Sequence, residues 1–249
     1  MSLHALLLLS DSALPLGSFA FSSGLESHLA HLKHTPASLP PPPTPRTPNK
    51  IIPAFLHDSL TNHASTLLPF VLSAYRHPAR LKQLDDTLDA STPCTVARRA
   101  STAQGRALVG LWTRALRPAT ATLASAEVES FIASPRAGAA HLAPLWGAVC
   151  AALGLGEAET AYVFLLGHAK AVVSAGVRAG VLGPYQGQML LASEEVKGWV
   201  EGIVAGEVAR MEELGDDEED GVGHAGVSVP VMDLWMGRHE MLYSRIFNS

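Results

Sequence analysis

The residues best equipped for chemistry in this chain are its eleven histidines, two cysteines and a run of carboxylates. Metal binding is the first chemistry to test. His28, His31 and His34 stand three apart, so neighbours share a helix face, and imidazole nitrogens suit nickel and zinc. The face drifts over six residues, however, and the cluster abuts a proline-rich stretch. The spacing therefore leaves two readings open: a metal site built on His28 and His31, or solvated surface histidines. His57 and His63 form a weaker pair further along. Cys94 and Cys150 lie far apart and in no CxxC pair. That argues against a disulfide framework or a thiolate zinc site and fits a reducing compartment. The acidic run DDEED, residues 216–220, reads as a solvated loop.

Catalytic templates fail at specific residues. A phosphate-binding P-loop needs Gly-Lys-Ser/Thr, whose backbone cradles phosphates while the lysine neutralises them, and none of the five lysines follows a glycine. A nucleophile elbow needs Gly-x-Ser-x-Gly, but the glycines around Ser18, Ser22 and Ser23 fall at other spacings. His239–Glu240 opens like a zincin helix, yet Tyr243 stands where the second histidine ligand belongs. A helical hydrolase assembled from His141, Glu157, His168 and Ser174 would match no motif. The expectation is a protein that is not an enzyme.

Composition narrows the class further. A net charge of −5, with no stripe of Lys and Arg, excludes a sequence-independent nucleic-acid binder. Ala5–Leu9 is apolar, but no basic residue precedes it and Asp11 follows, which is not the pattern of a secretory leader. Ala161–Leu182 is interrupted by His168, Lys170 and Arg178, so it reads as a buried helix and not a membrane span. The chain is expected to be cytoplasmic and free of membrane.

The elements that must position these residues are helical. Hydrophobic residues make up 47% of the chain but aromatics only 6%, so Leu, Ala and Val build the core, and Ala and Leu favour helices. Helical periodicity predicts segments over Leu3–Leu9, Gly24–His34, Leu56–Tyr75, Leu81–Leu88, Val96–Leu111, Val128–Ile132, Leu142–Leu153, Glu157–Arg178 and Gln186–Leu214. Ser23 and Glu26 have capping-box spacing. Residues 35–50 hold seven prolines and read as a disordered insertion; residues 215–226 read as a mobile acidic loop. The fold predicted is a single all-α bundle over residues 1–226. A tail over 227–249 follows as a short strand-like entry and one helix, with Asp233 as N-cap.

Two segments exceed what packing demands. In PLGSFAFSSGLE, residues 15–26, Pro15 and Gly17 set a turn, Phe19 and Phe21 offer apolar surface, and Glu26 opens a helix. In DLWMGRHEMLYSRIFNS, residues 233–249, a helix would place Trp235, His239, Leu242 and Ile246 on one side, flanked by Arg238 and Arg245. Aromatics with Arg are the composition of interface anchors, but such a tail could equally dock on its own domain.

PLGSFAFSSGLE resembles the P-x-G-x-F-x-x-S-x-G-L-E signature of the urease accessory F family, with Pro15, Gly17, Phe19, Ser22, Gly24, Leu25 and Glu26 in the matching places. Ser101, Gly105 and Arg106 are similar to its S-x-x-x-G-R helix. His141 with LGLGEAETA, and then SAGVRAGVLGPYQGQMLL, follow in the family's order. RHEMLYSRIFNS resembles its R-H-E-x-x-Y-x-R-L-F-x-S ending. This resemblance implies an all-α, usually dimeric protein. It would bridge the accessory D/H-type protein and the accessory GTPase while nickel, the cargo and not a resident cofactor, is delivered to apo-urease. It points to Trp235, Arg238, Glu240, Tyr243, Arg245 and Phe247 as partner-binding residues, with the Pro15–Glu26 turn organising the dimer or the complex. A nickel-storing chaperone using His28 and His31 is the alternative.

Overall fold

The computed structural model describes residues 3–11, 14, 16–34, 48–214 and 221–248. Among them are eleven α-helices and no β-strand, the class that the Ala- and Leu-rich composition predicts. The order is α1 (Leu3–Ser10), α2 (Leu25–His34), α3 (Pro48–Arg76), α4 (Leu81–Ser91), α5 (Thr95–Leu111), α6 (Leu123–Ile132), α7 (Leu142–Ala152), α8 (Glu157–Arg178), α9 (Pro184–Leu191), α10 (Glu194–Leu214) and α11 (Pro230–Arg238).

The centre is formed by α3, α7 and α8. α7 is buried without interruption from Ala143 to Cys150, as a helix apolar on every side must be. α3 approaches α7 so closely that a Cβ on Gly147 would collide with the Val71 carbonyl. α8 is long and apolar enough to cross a bilayer by length and composition alone, but it packs inside the bundle against α1, α2, α3, α9 and α10. Lys170 of α8 donates to the Ser10 carbonyl at 2.7 Å, satisfying one of the free carbonyls at the end of α1.

A buried polar cluster ties α4, α5 and α7 together. Asp85, with no exposed surface, accepts from the His141 backbone N–H at 2.7 Å and from the Arg136 guanidinium. The His141 imidazole bridges Ser101 Oγ at 2.9 Å and Asp89 Oδ1 at 3.0 Å. Burial raises the Asp85 pKa above the usual carboxylate value despite its hydrogen bonds. The bond from His141 lowers that of Asp89. In the S-x-x-x-G-R stretch, Gly105 has no room for a side chain because the Ala140 carbonyl lies where its Cβ would be.

Several boundaries differ from those periodicity predicts. The segment 186–214 is two helices. α9 stops at Leu191, and Ser193 Oγ accepts from Val196 N–H at 3.2 Å to start α10, with Glu194 and Glu195 in its first turn favoured by the helix dipole. Helix α3 already begins at Pro48, inside the predicted insertion, whose residues 35–47 lie outside the described residues. Residues 215–220 of the acidic loop lie outside them too. The rest of that loop is pinned: Ser73 Oγ donates to the Gly221 carbonyl at 3.0 Å, and His224 Nε2 lies 2.5 Å from Glu207 Oε1. Gly226 N–H donates to the Ser65 carbonyl at 3.0 Å. That carbonyl is free because Pro69, four residues on inside α3, has no N–H to give it.

Candidate functional site

The tail begins at that proline gap. Ser65 Oγ donates to Ser228 Oγ at 2.7 Å, and Asn62 Oδ1 accepts from Val229 N–H at 3.1 Å. α11 then starts with Pro230 in its first turn after Val229. Asp233 lies in that turn and does not serve as the N-cap. The predicted single tail helix also ends early, at Arg238. His239–Met241 form a 3-10 turn, and the remainder to Asn248 is irregular.

Opposite the tail stands the N-terminal turn. Gly17 has φ 72°, Ser18–Ala20 make a 3-10 turn, and Ser23 and Gly24 have φ 52° and 84°. These left-handed residues reverse the chain into α2. The expected capping box does not form: Ser22 Oγ, and not Ser23, accepts from the Glu26 backbone N–H, at 3.4 Å. The Glu26 carboxylate is thereby left for the tail. It accepts from His239 Nε2 at 3.0 Å and from the backbone N–H groups of Ile246 at 2.7 Å and Phe247 at 3.2 Å.

Further contacts close the joint. Ser27 Oγ donates to the Trp235 carbonyl, and Asn248 N–H donates to the Ala20 carbonyl at 2.8 Å. A Cβ on Gly24 would lie 2.9 Å from that of Trp235 and 3.0 Å from the Met236 nitrogen. Combined with the positive φ, this excludes every other residue without strain. The Trp235 ring packs on His28 and His31, with ring centroids 5.0 and 5.1 Å away. Phe247 is buried at 4% exposure beneath the Arg178 guanidinium, whose Cζ lies 4.4 Å above its ring and 6.0 Å from that of Phe19. This is cation–π distance. Arg99 of α5 reaches Glu240 at 2.5 Å and the Asn248 carbonyl at 3.0 Å, and Arg245 holds the far side of Glu240 at 3.0 Å.

The six tail residues singled out by the sequence thus divide. Trp235 and Phe247 face inward and hold the tail to its own domain. Glu240 and Arg245 form a partly exposed ion-pair ladder with Arg99. Arg238 and Tyr243 are exposed, and so are Leu234, Met241 and Ile246, each more than half. Of the turn residues, Ser22 and Gly24 are buried and Phe19 and Glu26 are partly so, whereas Gly17 is exposed. Pro15 lies outside the described residues. Arg99, Arg178 and Ser27 belong to the joint but carry no local signal in the sequence. Arg178 lies within the SAGVRAGVLGPYQGQMLL stretch, where only the resemblance draws attention to it.

His28 is not solvated. It is 4% exposed, sits between Phe55 and Trp235, and neither ring nitrogen has a hydrogen-bond partner. Burial, reinforced by His31, lowers its pKa to about 4. The described residues contain no group of three His, Cys, Asp or Glu placed to hold a metal ion. Behind the joint lies a cavity of about 470 Å³, walled in part by Phe21, Met232 and Met236 and by His63 and His168. These two imidazoles stack with centroids 3.8 Å apart, and His168 Nε2 meets Ser59 Oγ at 2.8 Å. Burial lowers both pKa values, that of His168 to about 4.

The residues of the hypothetical hydrolase are not brought together. Glu157 is paired with Arg76, His168 with Ser59, and His141 with Ser101 and Asp89. The last trio has the order of a catalytic relay, but His141 is fully buried. The Ser101 oxygen is also engaged by the Leu142 N–H at 3.3 Å.

The fold and site define an all-helical protein whose tail closes on an N-terminal turn around one carboxylate and leaves several of its own apolar side chains exposed. A family model, UreF, matches residues 50–195, and the chain belongs to that family. The matched span excludes both terminal signatures, so the assignment stands on the central helices independently of them. Over 99% of its length the chain is 36% identical to an uncharacterized urease accessory protein UreF-like of Schizosaccharomyces pombe, covering 97% of that protein. It is 29% identical to urease accessory protein 6 of Cryptococcus neoformans, over 99% of this chain and 97% of the other. Urease accessory protein F of Arabidopsis thaliana is 29% identical, over 96% and 89% respectively.

Proposed function

We propose that this protein acts in urease maturation as a non-catalytic adaptor. It joins an accessory D/H-type protein to the accessory GTPase while nickel is passed to apo-urease, and it works in the cytoplasm as a homodimer. The D/H-type partner docks on the outward edge of the tail, at Arg238, Tyr243 and the neighbouring Leu234, Met241 and Ile246.

One observation carries this reading. Tyr243 is fully exposed, and Met241 and Ile246 are 80% and 64% exposed, on a backbone that the domain itself holds in place. Large apolar side chains gathered on a surface mark interaction sites, and an aromatic with an arginine is the usual centre of binding energy. Arg238 and Tyr243 belong to the terminal stretch that resembles the family signature, whose His239 and Phe247 are buried.

The test is capture of the purified D/H-type protein by the full chain carrying Arg238→Ala and Tyr243→Ala. Loss of binding with an unchanged melting temperature supports the assignment. Binding at wild-type strength sinks it.

A further inference from the structure

We propose that the cavity bordered by α3 and α8 binds a small, neutral, planar aromatic molecule that carries a hydrogen-bonding substituent, such as a phenol. Four rings from three helices form one row along its wall. Trp146 of α7 lies 6.3 Å from Phe164 of α8, Phe164 lies 5.0 Å from His63 of α3, and His63 lies 3.8 Å from His168 of α8. The last two contacts are face to face, with planes 20° and 12° apart. The rest of the lining is largely apolar, Phe70 included. The volume of about 470 Å³ is about three times that of the ~150 Å³ hollow that takes up one benzene, so two fused rings fit. It also lies within the range of small-molecule sites, about 300–1,000 Å³.

The polar groups on this wall define the substituent. His168 Nε2 meets Ser59 Oγ at 2.8 Å, whereas no described residue makes a hydrogen bond to the His63 ring. Burial lowers the pKa of both imidazoles, that of His168 to about 4. At neutral pH each is therefore uncharged, with one N–H donor and one acceptor nitrogen. His63 offers a hydrogen bond that the protein does not use, beside an aromatic surface on which a flat ring stacks. A phenolic hydroxyl matches both. The lining also carries Lys170, Asp11 and Asp233. The Lys170 ammonium is spent on the Ser10 carbonyl at 2.7 Å, and burial raises the Asp233 pKa. No strong charge of one sign calls for an ion, and an ion would lose its water without compensation.

Imidazoles are also common metal ligands, but these two are stacked. Their nitrogen lone pairs lie in nearly parallel planes and do not converge on one ion. The described residues contain no group of three His, Cys, Asp or Glu that would complete such a site.

The probe is 2-naphthol, titrated into the full chain by calorimetry, with naphthalene-2-sulfonate as its charged counterpart and nickel ion alone as the rival guest. We expect one 2-naphthol per chain and a melting temperature that rises with its concentration. The sulfonate should bind at least about tenfold more weakly. His63→Phe keeps the stack and removes the hydrogen bond, so 2-naphthol affinity should fall about two- to tenfold. Gly167 lines the cavity, and a Cβ there meets nothing within 4 Å. Gly167→Trp should therefore fill the space and abolish binding at an unchanged melting temperature, and it decides the matter if His63→Phe fails to fold. Absence of saturable 2-naphthol binding overturns the proposal, as does undiminished binding in Gly167→Trp or equal affinity for the sulfonate. Nickel binding that His63→Phe removes while 2-naphthol binding is unaltered overturns it too, and makes the cavity a metal site.

Discussion

Two carboxylate-centred clusters, one around Asp85 and one around Glu26, join distant parts of this chain and differ in what they accept. Asp85 has no exposed surface and faces a guanidinium, with Asp86 and Asp89 sharing the same Arg136 at 3.3 and 3.6 Å. It is charge matched to charge in the interior, and it binds three helices and the Pro135–Ala139 turn into one body. Glu26 meets N–H donors and an imidazole, with its side chain 12% exposed, and it binds an irregular segment whose other side faces outward. A buried charge deprived of its partner is costly, whereas a carboxylate at a surface joint can be released to water. The first cluster therefore maintains the fold. We expect the second to maintain a local arrangement whose loss leaves the bundle folded.

The largest predicted effect sharpens that contrast. Asp85→Ala leaves Arg136 and the His141 N–H without their buried acceptor and should destabilise the whole domain by about 3–5 kcal/mol, read from urea unfolding. An effect comparable to that of a surface substitution would erase the distinction between the clusters. Acid comes next. The pKa values of His28 and His168 are lowered by burial to about 4, and that of His63 is lowered as well. The unfolded chain, with ordinary values near 6.5, therefore takes up protons first as the pH falls. Stability should be level above about pH 6.5 and decline between about 6.5 and 4, by up to about 1.4 kcal/mol per histidine for each pH unit. A flat pH profile over that range would show these rings to be wetter than their burial implies.

Smaller effects belong to the joint. Gly24→Val places a Cβ against Trp235 at a positive φ and should cost about 1–3 kcal/mol, expressed as faster hydrogen exchange in α11. Phe247→Ala removes the ring beneath Arg178. It should free the tail to proteolysis while shifting the urea midpoint of the domain by less than Asp85→Ala does; a full core-type loss of about 3–5 kcal/mol would mean that tail and bundle unfold as one. Tyr243→Ala, at a fully exposed position, should change stability by no more than about 0.5 kcal/mol, leaving partner binding as its readout.

Which features were legible in the sequence follows the range of the forces involved. The bounds of α8, Glu157–Arg178, emerge from the apolar stripe of Tyr162, Leu165, Ala169, Val172 and Gly176 and from the glycines on either side. The break between α9 and α10 leaves no mark in the periodicity because Ser193, and no proline or glycine, makes it. Ser23, three residues before Glu26, suggests only a capping box. The partners of the Glu26 carboxylate are 213 to 221 residues away, and no spacing rule reaches that far. The tail stripe predicted for Trp235, His239, Leu242 and Ile246 fails after Arg238 because Ile246 and Phe247 give their N–H groups to Glu26 and not to carbonyls four residues back.

By itself the sequence determined an all-helical chain without catalytic motifs, and it marked the two terminal segments as unusual, since helical period, missing ligands and short signatures are all local properties. Only the tertiary structure decided that those segments are one site, and which way each side chain of the tail faces. Closing two chain ends depends on the shape of the bundle between them. Here that shape brings Glu26, Arg99 and Arg178 from three different helices to the same tail.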